Sequence, residues 1–175
     1  MSIYVFGYGS LINMTENIRE ISKRKVVPVT VSGLKRSFNV SSIGGKYKVL
    51  GVKDIKNTKV KCNGILIKLR TAEEMAKLLE REKNYEPKWL DHKRISFDYK
   101  KHVALNPADQ IICFYPKAKY TLTKKAAEQL PIRPNYLNIC LEGASNLGED
   151  FLQDFADSIA SISIASISIA SKTSI

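Results

Sequence analysis

The amino-acid sequence predicts an α+β fold: a mixed sheet or small barrel with helices packed outside. Three observations predict it. Short, wholly apolar runs stand at Ile3-Tyr4-Val5-Phe6 and Ile111-Ile112-Cys113-Phe114-Tyr115, as buried strands require. Between residues 27 and 69, extended segments of alternating polarity are broken by glycine pairs and turn residues, the pattern of half-exposed antiparallel strands. From Thr71 onward, apolar residues recur at helical spacing. Strands first, with helices inserted and trailing, is the order of an α+β domain.

The elements follow in turn. Ile3 to Phe6 is stopped by Gly7-Tyr8-Gly9-Ser10, and Asn13-x-x-Glu16 resembles a capping box opening a short helix with Met14, Ile18 and Ile21 inward. Pro28 leads into Val29-Thr30-Val31 and, past Gly33, into Phe38-Asn39-Val40; Gly44-Gly45 reads as a turn before Tyr47 to Val52. Val60 to Leu69 completes a meander. Thr71-Ala72-Glu73-Glu74 starts a helix in which Thr71 caps and Glu74 reaches back. Thr123 to Leu130 is a short helix ended by Pro131 and Pro134, and Leu137 to Ala144 is helical, with Phe151 to Phe155 continuing that periodicity. The segment Ala160-Ser-Ile-Ser-Ile164 repeats as 165–169, a period of five that keeps isoleucines on no single face. The reading is one domain, 1–157, with a low-complexity, poorly ordered tail, 158–175.

With 175 residues, 44% hydrophobic and 26% charged, the chain is long enough to bury a core without staples. No stretch of eighteen apolar residues exists, so no spanning helix and no membrane partner are expected. Ser2 to Phe6 enters strand-like residues without a basic leader, so no signal peptide is expected. Three scattered cysteines and two histidines with no C-x-x-C favour a reducing, cytoplasmic setting and give no support to a metal. The net charge is +11, and residues 1–70 hold 14 basic against 3 acidic side chains. A basic front attracts anions, but no zinc motif, recognition helix or aromatic RNP pattern accompanies it, so no nucleic acid is expected.

Two places carry chemistry. At Gly7-Tyr8-Gly9-Ser10-Leu11, glycines that can take positive φ would turn successive N–H groups into a concavity suited to a carboxylate or phosphate, with the Ser10 hydroxyl beside it. Position 12 is isoleucine, which excludes a dinucleotide fingerprint, and Gly-Lys-Ser/Thr is absent, which excludes a P-loop. The second place is the helix from Thr71. At about 100° per residue, with Met75 at zero, Glu82 falls near 340°, inside a stripe of Met75, Leu78, Leu79 and Tyr85. Glu74 and Arg81 fall on the opposite side. A carboxylate turned toward a core has a raised pKa, which is what a general base working near neutrality needs. The alternatives at this point are that the helix frays and Glu82 faces water, or that Arg36 or Arg94 pairs with it.

Val5-Phe6-Gly7-Tyr8-Gly9-Ser10-Leu11, followed some seventy residues on by Leu79-Glu80-Arg81-Glu82-Lys83-Asn84-Tyr85, resembles the γ-glutamylcyclotransferase superfamily. Gly33-Leu34-Lys35-Arg36-Ser37-Phe38 and Pro134-Asn135-Tyr136-Leu137 are similar to flanking segments of ChaC-like members. The resemblance implies a small mixed β-barrel with surrounding helices. It implies that residues 7–11 bind a small-molecule γ-glutamyl substrate and that Glu82 is the catalytic base. Arg36, Tyr85, Tyr115 and Tyr136 become candidate positioning groups, and neither cofactor nor metal is needed. Ile12-Asn13 stand where the glutathione-specific branch has Trp-Pro, so the leaving amine stays open. The competing reading is a non-catalytic module that binds a small anion on the same fold.

Overall fold

Ile3–Gly7 forms the first strand, β1, buried on both faces, which is why its residues do not alternate in polarity. The structure, a computed structural model, describes residues 1–13 and 25–160. β1 sits inside a six-stranded sheet between β5 (Lys61–Leu69), antiparallel, and β8 (Gln110–Pro116), parallel. β2 (Val27–Ser32) and β7 (Ile95–Ser96) extend the sheet beyond β5, and β6 (Tyr85–Leu90) forms the other edge, giving the order β6-β8-β1-β5-β2-β7. β3 (Leu34–Ser41) and β4 (Lys48–Asp54) pair with each other in a separate two-stranded sheet.

The α+β expectation holds, but two details of the sheet differ from the sequence reading. Among the described residues the strands do not close into a barrel. Nor is the segment 27–69 a simple meander, because β2 pairs with β5 rather than with β3. Gly33 explains the excursion. At φ +67° it takes the left-handed turn that glycine tolerates. Its N–H donates to Val60 O at 2.8 Å, and its carbonyl accepts from Ile55 N–H at 2.9 Å. Those two bonds pinch the base of the β3–β4 hairpin, so the chain leaves the sheet after β2 and rejoins it at β5. The hairpin tip turns at Gly44 and Gly45, with φ of 89° and 70°, where the glycine pair predicted a turn.

Helix α1 (Ala72–Arg81) starts as its sequence predicts. Thr71 Oγ1 accepts from Glu74 N–H at 3.3 Å, and Glu74 Oε2 accepts from Arg70 N–H at 2.8 Å, two N-terminal donors satisfied reciprocally. It stops earlier than the wheel assumed. Tyr85 already belongs to β6, whose Pro87 sits on an edge strand, a place where the missing N–H costs no ladder bond. Helix α2 (Lys124–Gln129) is capped by Thr123. The apolar periodicity of 137–155 belongs to two helices, α3 (Tyr136–Ser145) and α4 (Glu149–Ala160), separated at Gly148 with φ +115°.

Helix α4 buries Phe151 and Phe155, each contributing roughly 1.5–3 kcal/mol of apolar burial. Because α4 runs to Ala160, the first residues assigned to the tail are helical. Ser158 is hydrogen-bonded and Ile159 is buried. Residues 161–175, and the helix expected over Met14, Ile18 and Ile21, lie outside the described residues. Asn13 itself is buried, and its Nδ2 donates to Ile139 O at 3.0 Å and to Glu142 Oε2 at 3.2 Å. The end of the first loop is thereby tied to α3.

Candidate active site

Where β1 ends, the chain makes a 3-10 turn, Ser10–Ile12, that packs under α3. Together with the C-terminal end of α1, the β3–β4 hairpin and Phe114 of β8, it encloses a cavity of about 490 Å³. That volume is within the range of small-molecule sites.

The glycines of the loop act by close approach rather than by positive φ. Gly9 has φ −124°, and Gly7 and Gly9 are both outside the left-handed region. A Cβ on Gly7 would stand 2.8 Å from Leu11 Cβ, and one on Gly9 would stand 2.7 Å from the Tyr136 hydroxyl oxygen. The expectation of a positive-φ nest is therefore corrected. These positions are glycine because the loop is wedged against its own turn and against α3.

Glu82 caps the C-terminus of α1, its N–H still donating to Leu78 O at 2.8 Å. The helix thus holds together to this point, and the side chain lines the cavity with 13% of its surface exposed. Neither Arg36 nor Arg94 is its partner in the structure. Arg81 is, with Nε 3.3 Å from Glu82 Oε1. Arg81 also donates from Nη2 to Ser10 Oγ at 3.1 Å, so one guanidinium joins the acidic residue to the glycine loop. Burial pushes the Glu82 carboxyl above the usual carboxylate range, and the Arg81 charge pulls it part of the way back.

Three tyrosines complete the wall. Tyr8 donates to Phe114 O at 2.6 Å, and Tyr85 donates to Leu50 O at 2.7 Å. Tyr136 is buried at the start of α3, placed by the left-handed Asn135 (φ 60°) before it. Burial raises all three phenols, and the nearby Glu82 charge raises them further. They stay protonated near neutrality. Among the described residues Glu82 is the one carboxylate in the lining, and burial raises its affinity for a proton.

Of the residues singled out from sequence, Tyr8, Gly9, Ser10, Leu11, Glu82, Tyr85 and Tyr136 line this cavity. Gly7 lies just beneath it. Two do not belong to it. Tyr115 follows Phe114 on a strand, so it points to the opposite face, where its hydroxyl donates to Asp54 Oδ1 at 2.9 Å. Arg36 is fully buried elsewhere. It donates to Ser158 Oγ at 2.6 Å and to the Oδ1 and backbone carbonyl of Asn63, with its guanidinium 4.2 Å above the Phe155 ring.

Sequence reading missed Arg81, Asn84, Arg133 and the hairpin residues Ser42, Tyr47 and Leu50. Arg81 stands next to Glu82, but the wheel put it on the outer face; its long side chain reaches back to the loop. Leu79, placed inward, is 43% exposed, and Glu74, placed outward, is buried, its carboxylate folded back to accept from Arg70 N–H. The hairpin residues carried no signal, because nothing local says that a β-turn 40 residues before Glu82 folds over it.

No protein-family model matches the sequence, and no curated protein matches it. Solved structures do. YkqA from Bacillus subtilis superposes with a TM-score of 0.64 at 14% identity, over 89% of this chain and 53% of that one, so the chain spans about half of YkqA. A γ-glutamyl cyclotransferase superposes with a TM-score of 0.62 at 12% identity, covering 89% of this chain and 86% of that one. A glutathione-specific γ-glutamyl cyclotransferase from yeast gives 0.62 at 11% identity, over 91% and 97%. The overall fold, a mixed sheet with surrounding helices, is the γ-glutamyl cyclotransferase fold.

Proposed function

We propose that the protein cyclises a γ-glutamyl amide to 5-oxoproline and releases the amine, with Glu82 as general acid and base. One observation carries this reading. A carboxylate, mostly buried and raised by that burial, shares a cavity of small-molecule size with the glycine loop after β1.

The chemistry asks little of the protein. The substrate's α-ammonium loses a proton to Glu82, and the freed amine attacks the δ-carbonyl. A ring C–N bond forms, the ring nitrogen gives up its second excess proton, and the amide C–N bond breaks as Glu82 passes its proton to the leaving nitrogen. The released amine takes up the other proton and departs as an ammonium. Such a shuttle is worth about 10²–10⁴-fold, and holding the chain coiled for ring closure removes up to about 7–11 kcal/mol of barrier. The loop 7–11 would hold the γ-glutamyl carboxylate or carbonyl through backbone N–H groups and Ser10, while Tyr85 and Tyr136 wall the ring as it closes. Three free cysteines, Cys62, Cys113 and Cys140, are buried and have no part in this scheme.

The test is a panel of glutathione, γ-glutamyl amino acids and γ-glutamyl-ε-lysine, with 5-oxoproline as the readout. Release from at least one, above a boiled control, is expected. Tight binding without release would instead favour the non-catalytic anion-binding module. Gly9→Ala tests the geometry separately. Its Cβ must displace the Tyr136 hydroxyl or the loop, so turnover falls by about 10²-fold, as for an ångström-scale misplacement. Overpacking also lowers stability by about 1–3 kcal/mol, read by thermal melting.

A further inference from the structure

The cavity has two ends, marked along β4. At Leu50, the carbonyl accepts from Tyr85, and the side chain lies 3.7 Å from where a Gly9 Cβ would stand; this end holds the loop, Arg81 and Glu82. At Lys48, two residues earlier, the backbone is tied to the segment before α3. Lys48 N–H donates to Pro131 O at 2.9 Å, and Arg133 N–H donates to Lys48 O at 3.1 Å. Two residues of extended strand separate the ends by about 7 Å, with Val49 of the lining between them. Arg133 lines this second end.

The two cations of the lining differ in their engagement. Arg81 holds Glu82 and Ser10. The exposed Arg133 side chain has no hydrogen-bond or ion-pair partner among the described residues. Among the described residues the charged lining side chains are Arg81, Glu82 and Arg133, which together carry one net positive charge. A γ-glutamyl amino acid carries one ammonium and two carboxylates, one net negative charge. A γ-glutamyl derivative of a simple amine is neutral overall.

Building on the γ-glutamyl reading of the site, we propose that Arg133 is a specificity-determining residue that binds the carboxylate of the leaving group. The preferred substrates are then γ-glutamyl amino acids or short peptides with a free C-terminus. With the scissile amide at Glu82, one or two further residues at about 3.3–3.6 Å each carry a terminal carboxylate toward the Lys48 end. There the Arg133 fork can grip it in a bidentate pair.

The experiment compares 5-oxoproline release from γ-glutamyl-alanine and from γ-glutamyl-alaninamide, which differ in that one charge. For the unmodified protein, kcat/KM for the acid is expected to exceed that for the amide by about tenfold or more, as a charge-assisted hydrogen bond gives. In Arg133→Gln the ratio falls toward one, and the change lies in KM, because the contact is the same before and during ring closure. Arg133→Lys restores part of the preference. Lys53→Gln, the same charge loss at an exposed position outside the cavity, leaves the ratio where it was. An unmodified protein without acid preference, or an Arg133→Gln ratio equal to the unmodified one, overturns the role of Arg133 and leaves the cyclisation standing. Release from neither substrate, nor from the wider panel, overturns both.

Discussion

Glu82→Gln is expected to lower 5-oxoproline release by about 10²–10⁴-fold and to leave the fold intact. Glutamine keeps the shape and the polar contact with Arg81 but cannot take a proton from the substrate ammonium. The pH profile gives a second, independent readout. Burial holds the Glu82 carboxyl above its ordinary value, so the acid limb of kcat/KM should fall at a higher pH than a surface glutamate, near 4.3, would give. Below that limb Glu82 is protonated and the base is lost.

Stability should move the other way. Between the ordinary carboxylate value and the raised folded one, the folded chain holds a proton that the unfolded chain has released. Stability therefore falls as pH rises through that window. Above it, the cost of the buried charge is complete, and glutamine removes it. Glu82→Gln should melt at a higher temperature than the unmodified protein at pH 7, with the gap narrowing as pH falls through that window and closed below about pH 4. A gain in stability joined to a loss of turnover is the signature of a group strained for chemistry. Near-normal turnover in this variant would remove Glu82 from the mechanism.

Arg36→Ala is expected to cost about 3–5 kcal/mol of unfolding free energy, the range for losing a large, fully packed side chain. The Arg36 guanidinium braces β3 and β5 against α4, holding Asn63 and Ser158 by hydrogen bonds and covering the Phe155 ring. Truncation opens a void and strips those polar atoms of their donor. Arg36→Lys should recover little, since an ammonium cannot reproduce a planar fork that both stacks and spans two partners. Chemical denaturation measures the loss. Kinetics separates this role from the one suggested by resemblance: a brace lowers the melting temperature with KM unchanged, whereas a substrate ligand would raise KM with melting unchanged.

Arg36 also shows where sequence reading reaches its limit. Its segment is similar to one of ChaC-like members and made it a candidate positioning group, yet the bulky cation is buried outside the cavity. Patterns decided by neighbours along the chain were legible: the apolar β1 and β8 runs, the Thr71 cap, the short helix from Thr123, the Gly44-Gly45 turn. So was Glu82, because one acidic residue inside an apolar stripe is an exception that physics must explain. What failed depended on distant partners. The β2–β5 pairing bypasses the hairpin that lies between them in sequence, and among the described residues the barrel expected from resemblance does not close. Arg81 was assigned by the angle of its Cα, but a guanidinium several bonds away is placed by what it reaches.

The tie between the first loop and the later elements bears on how the molecule is made. Tyr8 is anchored by a carbonyl 106 residues further on, and Asn13 by one 126 residues further on. At a synthesis rate of about 5–20 residues per second, the loop waits roughly 5–25 s on the ribosome before its anchors exist. The contacts that shape the cavity are thus among those of greatest sequence separation, whose loop-closure entropy delays them until late in folding. A nascent chain can assemble the β3–β4 hairpin early, but its cavity is completed only when the last third of the domain has emerged.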